Sequence, residues 1–275
     1  MHMLAEGALD KMRSQLESPV RYELPVGDAA IAINPLIGET IRLEFLGLIT
    51  CSHCGRKTKK SFSQGHCFPC MQKLARCDSC IVKPEKCHFF EGTCREPDWG
   101  ERNCMQEHIV YLANSSGLKV GITRHNQVPT RWIDQGAVQA LPIIRVQTRQ
   151  QSGFVEILLA ETLADKTNWR AMLKGDTDTL DLKAKALEVL QQYETGLNTL
   201  RERFGENSIS IIDDADPVVI DYPVIEYPTK VSSINFDKTP LAEGRLMGVK
   251  GQYLMLDTGV LNVRSFSSYH VRLSA

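Results

Sequence analysis

The chain has 275 residues, 43% apolar and 24% charged, with a formal net charge of −1. This is an ordinary globular composition, which excludes a low-complexity or collagen-like chain and leaves room for about two domains. No apolar run approaches the ~18 residues that a membrane helix needs, and residues 1–19 carry Glu6, Asp10, Lys11, Arg13 and Glu17 where a secretory leader would be apolar. No membrane partner and a cytoplasmic location are therefore expected. The near-neutral total hides an asymmetry, since residues 51–150 hold 15 Lys and Arg against 8 Asp and Glu, and the remainder 17 against 25. A basic middle between acidic flanks fits a polyanionic partner, or simply a solvated surface.

Taken in chain order, the pattern predicts an α+β protein. Leu4, Ala8, Leu9, Met12 and Leu16 recur at helical spacing over residues 3–18, and Pro19 stops that helix. Branched, alternating runs at 20–25 and 41–49 read as strands, so residues 1–50 form an N-terminal helix-and-strand unit. Residues 51–105 lack periodic apolar residues and hold Gly55, Gly65, Pro69, Pro84, Gly92, Pro97 and Gly100. A stretch this poor in apolar residues needs something other than a core to order it.

Residues 106–175 read as a compact α/β unit. Strands at 109–113 and 118–122 flank an Asn114-Ser115-Ser116-Gly117 turn. A helix over 129–135, a strand over 140–146 and a helix over 154–165, with Ser152 as a candidate cap, complete it. From Asp176 to Gly205 the residues Leu180, Leu187, Leu190, Tyr193, Leu197, Leu200 and Phe204 make one apolar stripe, which predicts a single amphipathic helix over 176–205. Residues 206–275 begin with an Asp-rich linker at 213–217. They continue as strands at 241–249, 252–257, 259–264 and 269–273, which suit a small β-rich unit or pairing with the early strands.

All nine cysteines fall between Cys51 and Cys104. Clustering in a reducing compartment favours metal over disulfides. Cys51-x2-Cys54 and Cys67-x2-Cys70, twelve residues apart, present four thiolates to one ion, as zinc ribbons do. Soft sulfur donors select zinc, with an iron–sulfur cluster as the chemical rival. A site with no open position is structural. A second site is expected from Cys77, Cys80, Cys87 and Cys94, with Cys104 or His108 as alternative fourth ligands. Two zinc ions per chain follow. His53, His66 and His88 stand beside cysteines that do not require them, and Arg56, Lys57, Lys59 and Lys60 lie on the loop of the first site, where they can meet phosphates or water.

The segment IVYLANSSGLKVGITRHNQVPTRWIDQG, residues 109–136, resembles the start of a GIY-YIG domain. In that family two short strands carry the two tripeptides, a helix supplies an Arg, and a later helix supplies a metal-binding Glu. Ile109-Val110-Tyr111 takes the first slot, Lys119-Val120-Gly121 the second, Arg131 the Arg, and Glu156 (or Glu161) the Glu. The resemblance implies phosphodiester hydrolysis with magnesium or manganese, using Tyr111, Arg131 and Glu156. Lys119 replaces the family's second Tyr, and Gln135 stands where many members have His or Tyr, so the same residues also fit a degenerate domain that only binds. More broadly, the cysteine knuckles followed by VYLA, KVGITR, RWIDQGA and Asp165-Lys166-Thr167-Asn168-Trp169 resemble an uncharacterised bacterial family, domain of unknown function 2797.

Three functions fit these observations. The chain binds DNA or RNA, with Lys119, Arg124, His125 and Arg131 lining a groove; or it is a metal-dependent endonuclease; or zinc merely scaffolds an interaction module whose 176–205 stripe serves a partner or a homodimer.

Overall fold

The computed structural model describes every residue except Asp176, at which the expected long helix begins. Two strands, β1 (Met3–Ala8) and β2 (Arg13–Gln15), open the chain in place of the helix expected over 3–18. The helical spacing loses because β1 finds a partner at the far end of the chain, with Ala5 opposite Leu273 and Gly7 opposite Val271. Gly7 also disfavours a helix interior by ~1 kcal/mol relative to Ala. Strands β3 (Arg21–Val26), β4 (Ala29–Ala32) and β5 (Thr40–Ile49) follow, with Ile41 and Leu43 of β5 turned inward.

Between β5 and β6 (His108–Asn114) the only α-helices are α1 (Phe68–Lys73) and α2 (Pro97–Cys104), joined by single 3-10 turns. Strand β7 (Leu118–Arg124) closes the expected hairpin with β6, and α3 (Thr130–Asp134) and β8 (Gln139–Val146) follow. Helix α4 (Arg149–Leu159) starts earlier than its apolar pattern suggests. Its cap is Thr148 rather than Ser152, through a capping box in which Thr148 and Gln151 satisfy each other's backbone N–H groups.

After α5 (Trp169–Lys174), the single helix expected over 176–205 is two: α6 (Leu182–Gln192), capped by the Asp181 carboxylate, and α7 (Glu194–Phe204). Tyr193 breaks them, its φ of −103° and ψ of 13° lying outside the helical region. The last strands are β9 (Ile209–Ile211), β10 (Val218–Val219), β11 (Leu241–Lys250), β12 (Tyr253–Leu256), β13 (Gly259–Asn262) and β14 (Tyr269–Ser274). Among the described residues no helix is long and apolar enough to cross a membrane.

Among the described residues the strands assemble into three sheets. A six-stranded sheet in the order β1-β14-β5-β11-β12-β13 unites both ends of the chain, so the late strands pair with the early ones. A second sheet runs β10-β8-β6-β7, with β9 added to β8, and β2-β3-β4 form a third. Strand β6 sits at the junction, and all seven of its residues are buried. Alternation sends Ile109, Tyr111 and Ala113 into the core shared with the six-stranded sheet and α3. Val110 and Leu112 face the other way, into the core made with Val155 and Leu159 of α4, Leu182 and Val189 of α6 and Leu197 of α7. A strand covered on both faces needs a continuous apolar run, and each such side chain contributes ~1.5–3 kcal/mol by leaving water.

Candidate functional site

Strand β5 delivers the chain directly to Cys51. The chain folds back at once: Thr58 N–H donates to the Ile49 carbonyl at 2.9 Å, Thr50 bridges to Lys57, and Gly55 N–H closes the turn onto Cys51 O at 2.9 Å. Gly55 adopts φ +69°, a conformation that favours glycine. A second reversal pairs Phe62 with His66 through two 2.8 Å bonds and leads into α1, with Cys67 as the residue before the helix and Cys70 in its first turn. Pro69, within that first turn, gives up an N–H that the helix leaves unpaired in any case.

The two pairs converge. The sulfurs of Cys51, Cys54, Cys67 and Cys70 all lie within 4.8 Å of one another, and Cys54 Sγ and Cys67 Sγ are 3.8 Å apart. Zinc holds thiolates at ~2.3 Å, and a tetrahedron of that radius has an edge of ~3.8 Å. None of the nine cysteines is in a disulfide. Burial opposes ionisation of Cys51, but the backbone N–H groups of Cys67, Cys54 and His53 outweigh it and lower this thiol to about 6. Burial and the thiols of Cys67, Cys54 and Cys51 push Cys70 up to about 12. Four sulfurs this close ionise together only around a cation. The cluster is therefore a group of four cysteines that could hold a metal ion, and its donor set and spacing fit zinc. Arg56, Lys57, Lys59 and Lys60 are exposed on its loop, apart from partial cover at Lys57's neighbour Thr58.

The other cysteines divide differently from their order in the chain. Cys80, Cys87, Cys94 and Cys104 line one small cavity, whereas Cys77 and His108 do not. Cys77 turns toward Ser63 and the first site. Asp78, Cys80 and His88 also bring donor atoms within 4.8 Å of one another. Burial, then the Asp78 carboxylate and the surrounding thiols, push Cys80 up to about 11, and burial does the same to Cys104 despite nearby Arg149. His108 is fully buried, with Nδ1 2.7 Å from the Gln106 carbonyl and Nε2 without a partner. Burial lowers it to about 4, so it is neutral.

A polar cluster lies on the β6–β7 sheet beside α3 and α4. Tyr111 is fully buried, and its hydroxyl donates to Gln135 Oε1 at 2.7 Å. Its ring occupies the space over its cross-strand partner Gly121, where a Cβ would come within 2.7 Å of the phenol carbon and oxygen. Burial pushes the phenol up to about 12, against the pull of the Arg131 guanidinium. Lys119 is 3% exposed. Burial and then the Arg131 charge lower it to about 8, with Glu156 and Asp165 pulling the other way. Glu156, on α4, is raised to about 7 by burial and then by Asp165, while Arg149, Lys119 and Arg131 favour its charged form.

Tyr111, Lys119, Arg131 and Glu156 thus share one electrostatic neighbourhood, although four separate elements supply them. Arg124 and His125 lie apart from it: Arg124 is five residues along β7 from Lys119, ~17 Å at the rise of a strand. The Arg124 guanidinium donates to Asn103 Oδ1 at 2.7 Å, and exposed His125 sits 3.1 Å from the Glu107 carboxylate. Glu161, the alternative carboxylate, is exposed beyond the end of α4.

Sequence reasoning missed two members of this neighbourhood. Asp165 arrives because Val120 N–H donates to the Ala164 carbonyl at 2.9 Å, which docks the 164–165 loop beside Lys119. Its only signal was the motif running from Asp165 to Trp169, which named no partner. Arg149 is the first residue of α4; its guanidinium donates to the Ile81 carbonyl at 2.6 Å and its Nε is buried without a partner. No local pattern marks such a contact, which joins segments 68 residues apart.

No curated protein and no solved structure matches the chain. The family model described as "Protein of unknown function (DUF2797)" matches residues 38–271, which takes in both cysteine groups and the polar cluster, and the chain belongs to that family.

Proposed function

We propose that this protein binds nucleic acid through a degenerate GIY-YIG-like unit that grips the phosphodiester backbone, next to a zinc-ribbon-like platform. The observation that carries this reading is the meeting of Lys119 and Arg131 with the Tyr111 hydroxyl on one side of the β6–β7 sheet. A planar guanidinium suits two phosphate oxygens at once, so the half-buried Arg131 makes the contact, and the buried Lys119 behind it adds positive potential only. The exposed Arg56, Lys57, Lys59 and Lys60 extend the basic surface from the zinc platform. Affinity for labelled DNA and RNA oligonucleotides, measured over a range of salt, tests it. Log K falls linearly with log salt, and Arg131→Ala lowers the slope by ~1. Absence of salt-dependent binding to any polynucleotide contradicts the reading.

A second reading, metal-dependent cleavage, is favoured by Glu156 and Asp165 standing together against Tyr111 and Arg131. Two carboxylates are hard oxygen donors that suit magnesium or manganese, and a bound divalent ion would supply charge stabilisation at phosphate. In that role Glu156 would hold the ion with Asp165 beside it, Arg131 would clamp the phosphate, and Lys119 would stand in for the family's second Tyr. Cleavage of single- or double-stranded substrate that depends on added metal and disappears in Glu156→Ala supports this reading; cleavage undiminished in that variant removes it.

A further inference from the structure

We propose that Cys80, Cys87, Cys94 and Cys104 bind a second zinc ion, and that Cys77, though it forms a C-x2-C pair with Cys80, stays outside the site. These four are the cysteines around the small cavity between the 3-10 turns of the cysteine segment and α2. The cavity has a volume of about 10 Å³, room for a single atom of water size. The four sulfurs do not all lie within 4.8 Å of one another, so an ion draws them inward, toward the ~3.8 Å edge of a thiolate tetrahedron. Asp78, Ile81, His88, Phe89 and Trp99 are also in the wall. Gly100 of α2 allows the close approach, because a Cβ there would meet Cys94 Sγ at 3.1 Å and the Phe89 ring at 2.9 Å.

The competing donors near Cys80 are already engaged. Asp78 Oδ2 forms a 2.7 Å ion pair with Arg95, and Ser79 donates to Oδ1 at 3.2 Å. His88 has Nδ1 on the Thr93 hydroxyl at 2.7 Å and Nε2 3.5 Å from Asp78. Asp78 and His88 line the same cavity and bring donor atoms within 4.8 Å of Cys80, but these bonds engage them, and both are left outside the proposed ligand set. Four thiolates around one divalent ion carry two negative charges. Arg149, whose buried Nε lacks a partner, lies beside Cys104 and Cys80 and offsets part of that charge. The same segment packs on α4: a Cβ at Gly153 would come within 2.5 Å of the Glu85 backbone nitrogen. The second ion therefore braces the helix that carries Glu156. The ligand set does not depend on the nucleic-acid reading.

Elemental analysis of the full-length chain purified in reducing buffer tests the set. Wild type, Cys77→Ser and His88→Gln are expected to hold two zinc ions per chain, and Cys80→Ser and Cys104→Ser to hold one. A wild type with one ion, or a Cys77→Ser or His88→Gln protein that falls to one, overturns the proposal. Because serine variants of buried cysteines can fail to fold, the native wild-type chain is also alkylated with iodoacetamide and mapped by mass spectrometry. Modification at Cys77 with two zinc ions retained is expected. A Cys77 that stays protected until a chelator removes the metal contradicts it.

Discussion

The cysteine segment and strand β6 lie next to each other in the chain and differ in what is gathered in them. Strand β6 is held from both faces by apolar side chains, and all seven of its residues are buried. Residues 51–104 contain six-residue α1, eight-residue α2 and isolated 3-10 turns, and few apolar side chains there beyond Leu74 and Ala75 are buried. What converges in that segment is sulfur. Burial acts without direction over a large area, whereas coordination acts at a point and orders only what it touches. One region should therefore answer to loss of metal and the other to loss of volume.

Metal removal gives the largest separation. Structural zinc contributes an apparent ~10–16 kcal/mol in isolated finger peptides. Treatment with a chelator is expected to abolish hydrogen-exchange protection across residues 51–104 while the amides of β6 and β11 keep theirs. Equal loss in both regions would mean that the cysteine segment and the sheets fold as one unit. The converse experiment is Leu112→Ala on β6. It leaves a cavity in the second core and should cost ~2–5 kcal/mol in denaturant unfolding, with zinc content unchanged.

A smaller effect probes the polar cluster. Glu156 is held near 7 rather than at its ordinary 4.5. A carboxylate whose folded pKa is raised keeps its proton in the native state while the unfolded chain has lost it. Stability therefore falls as pH rises from about 4.5 to about 7, by up to ~3 kcal/mol. Glu156→Gln should flatten that window and stabilise the protein at pH ~7.5. An unchanged profile would mean that Glu156 is solvated.

The two regions also differ in how legible they were. Cys51, Cys54, Cys67 and Cys70 could be read from spacing alone, because each C-x2-C turn is local and only one further approach is needed. The β6–β7 hairpin and the apolar character of β6 were legible for the same reason. The 3–18 segment was not, because its helical spacing is overruled by β14, more than 260 residues away. Tyr193 fits the apolar stripe of both helices and so hid the break between α6 and α7. The grouping of Cys80 with Cys104 rather than Cys77 depends on where α2 packs, and chain order carries no trace of that. Asp165 entered the polar cluster through a long-range backbone contact, and the Arg149 side chain is tied to a carbonyl 68 residues away.

The central claim is that sulfur coordination orders residues 51–70. X-ray absorption at the zinc K-edge of the purified wild-type chain tests it most directly. The predicted result is a first shell of four sulfurs at ~2.3 Å, lost in part when Cys54 or Cys67 is replaced by serine. A spectrum dominated by nitrogen or oxygen neighbours, or a chain that carries no zinc to measure, would contradict the account.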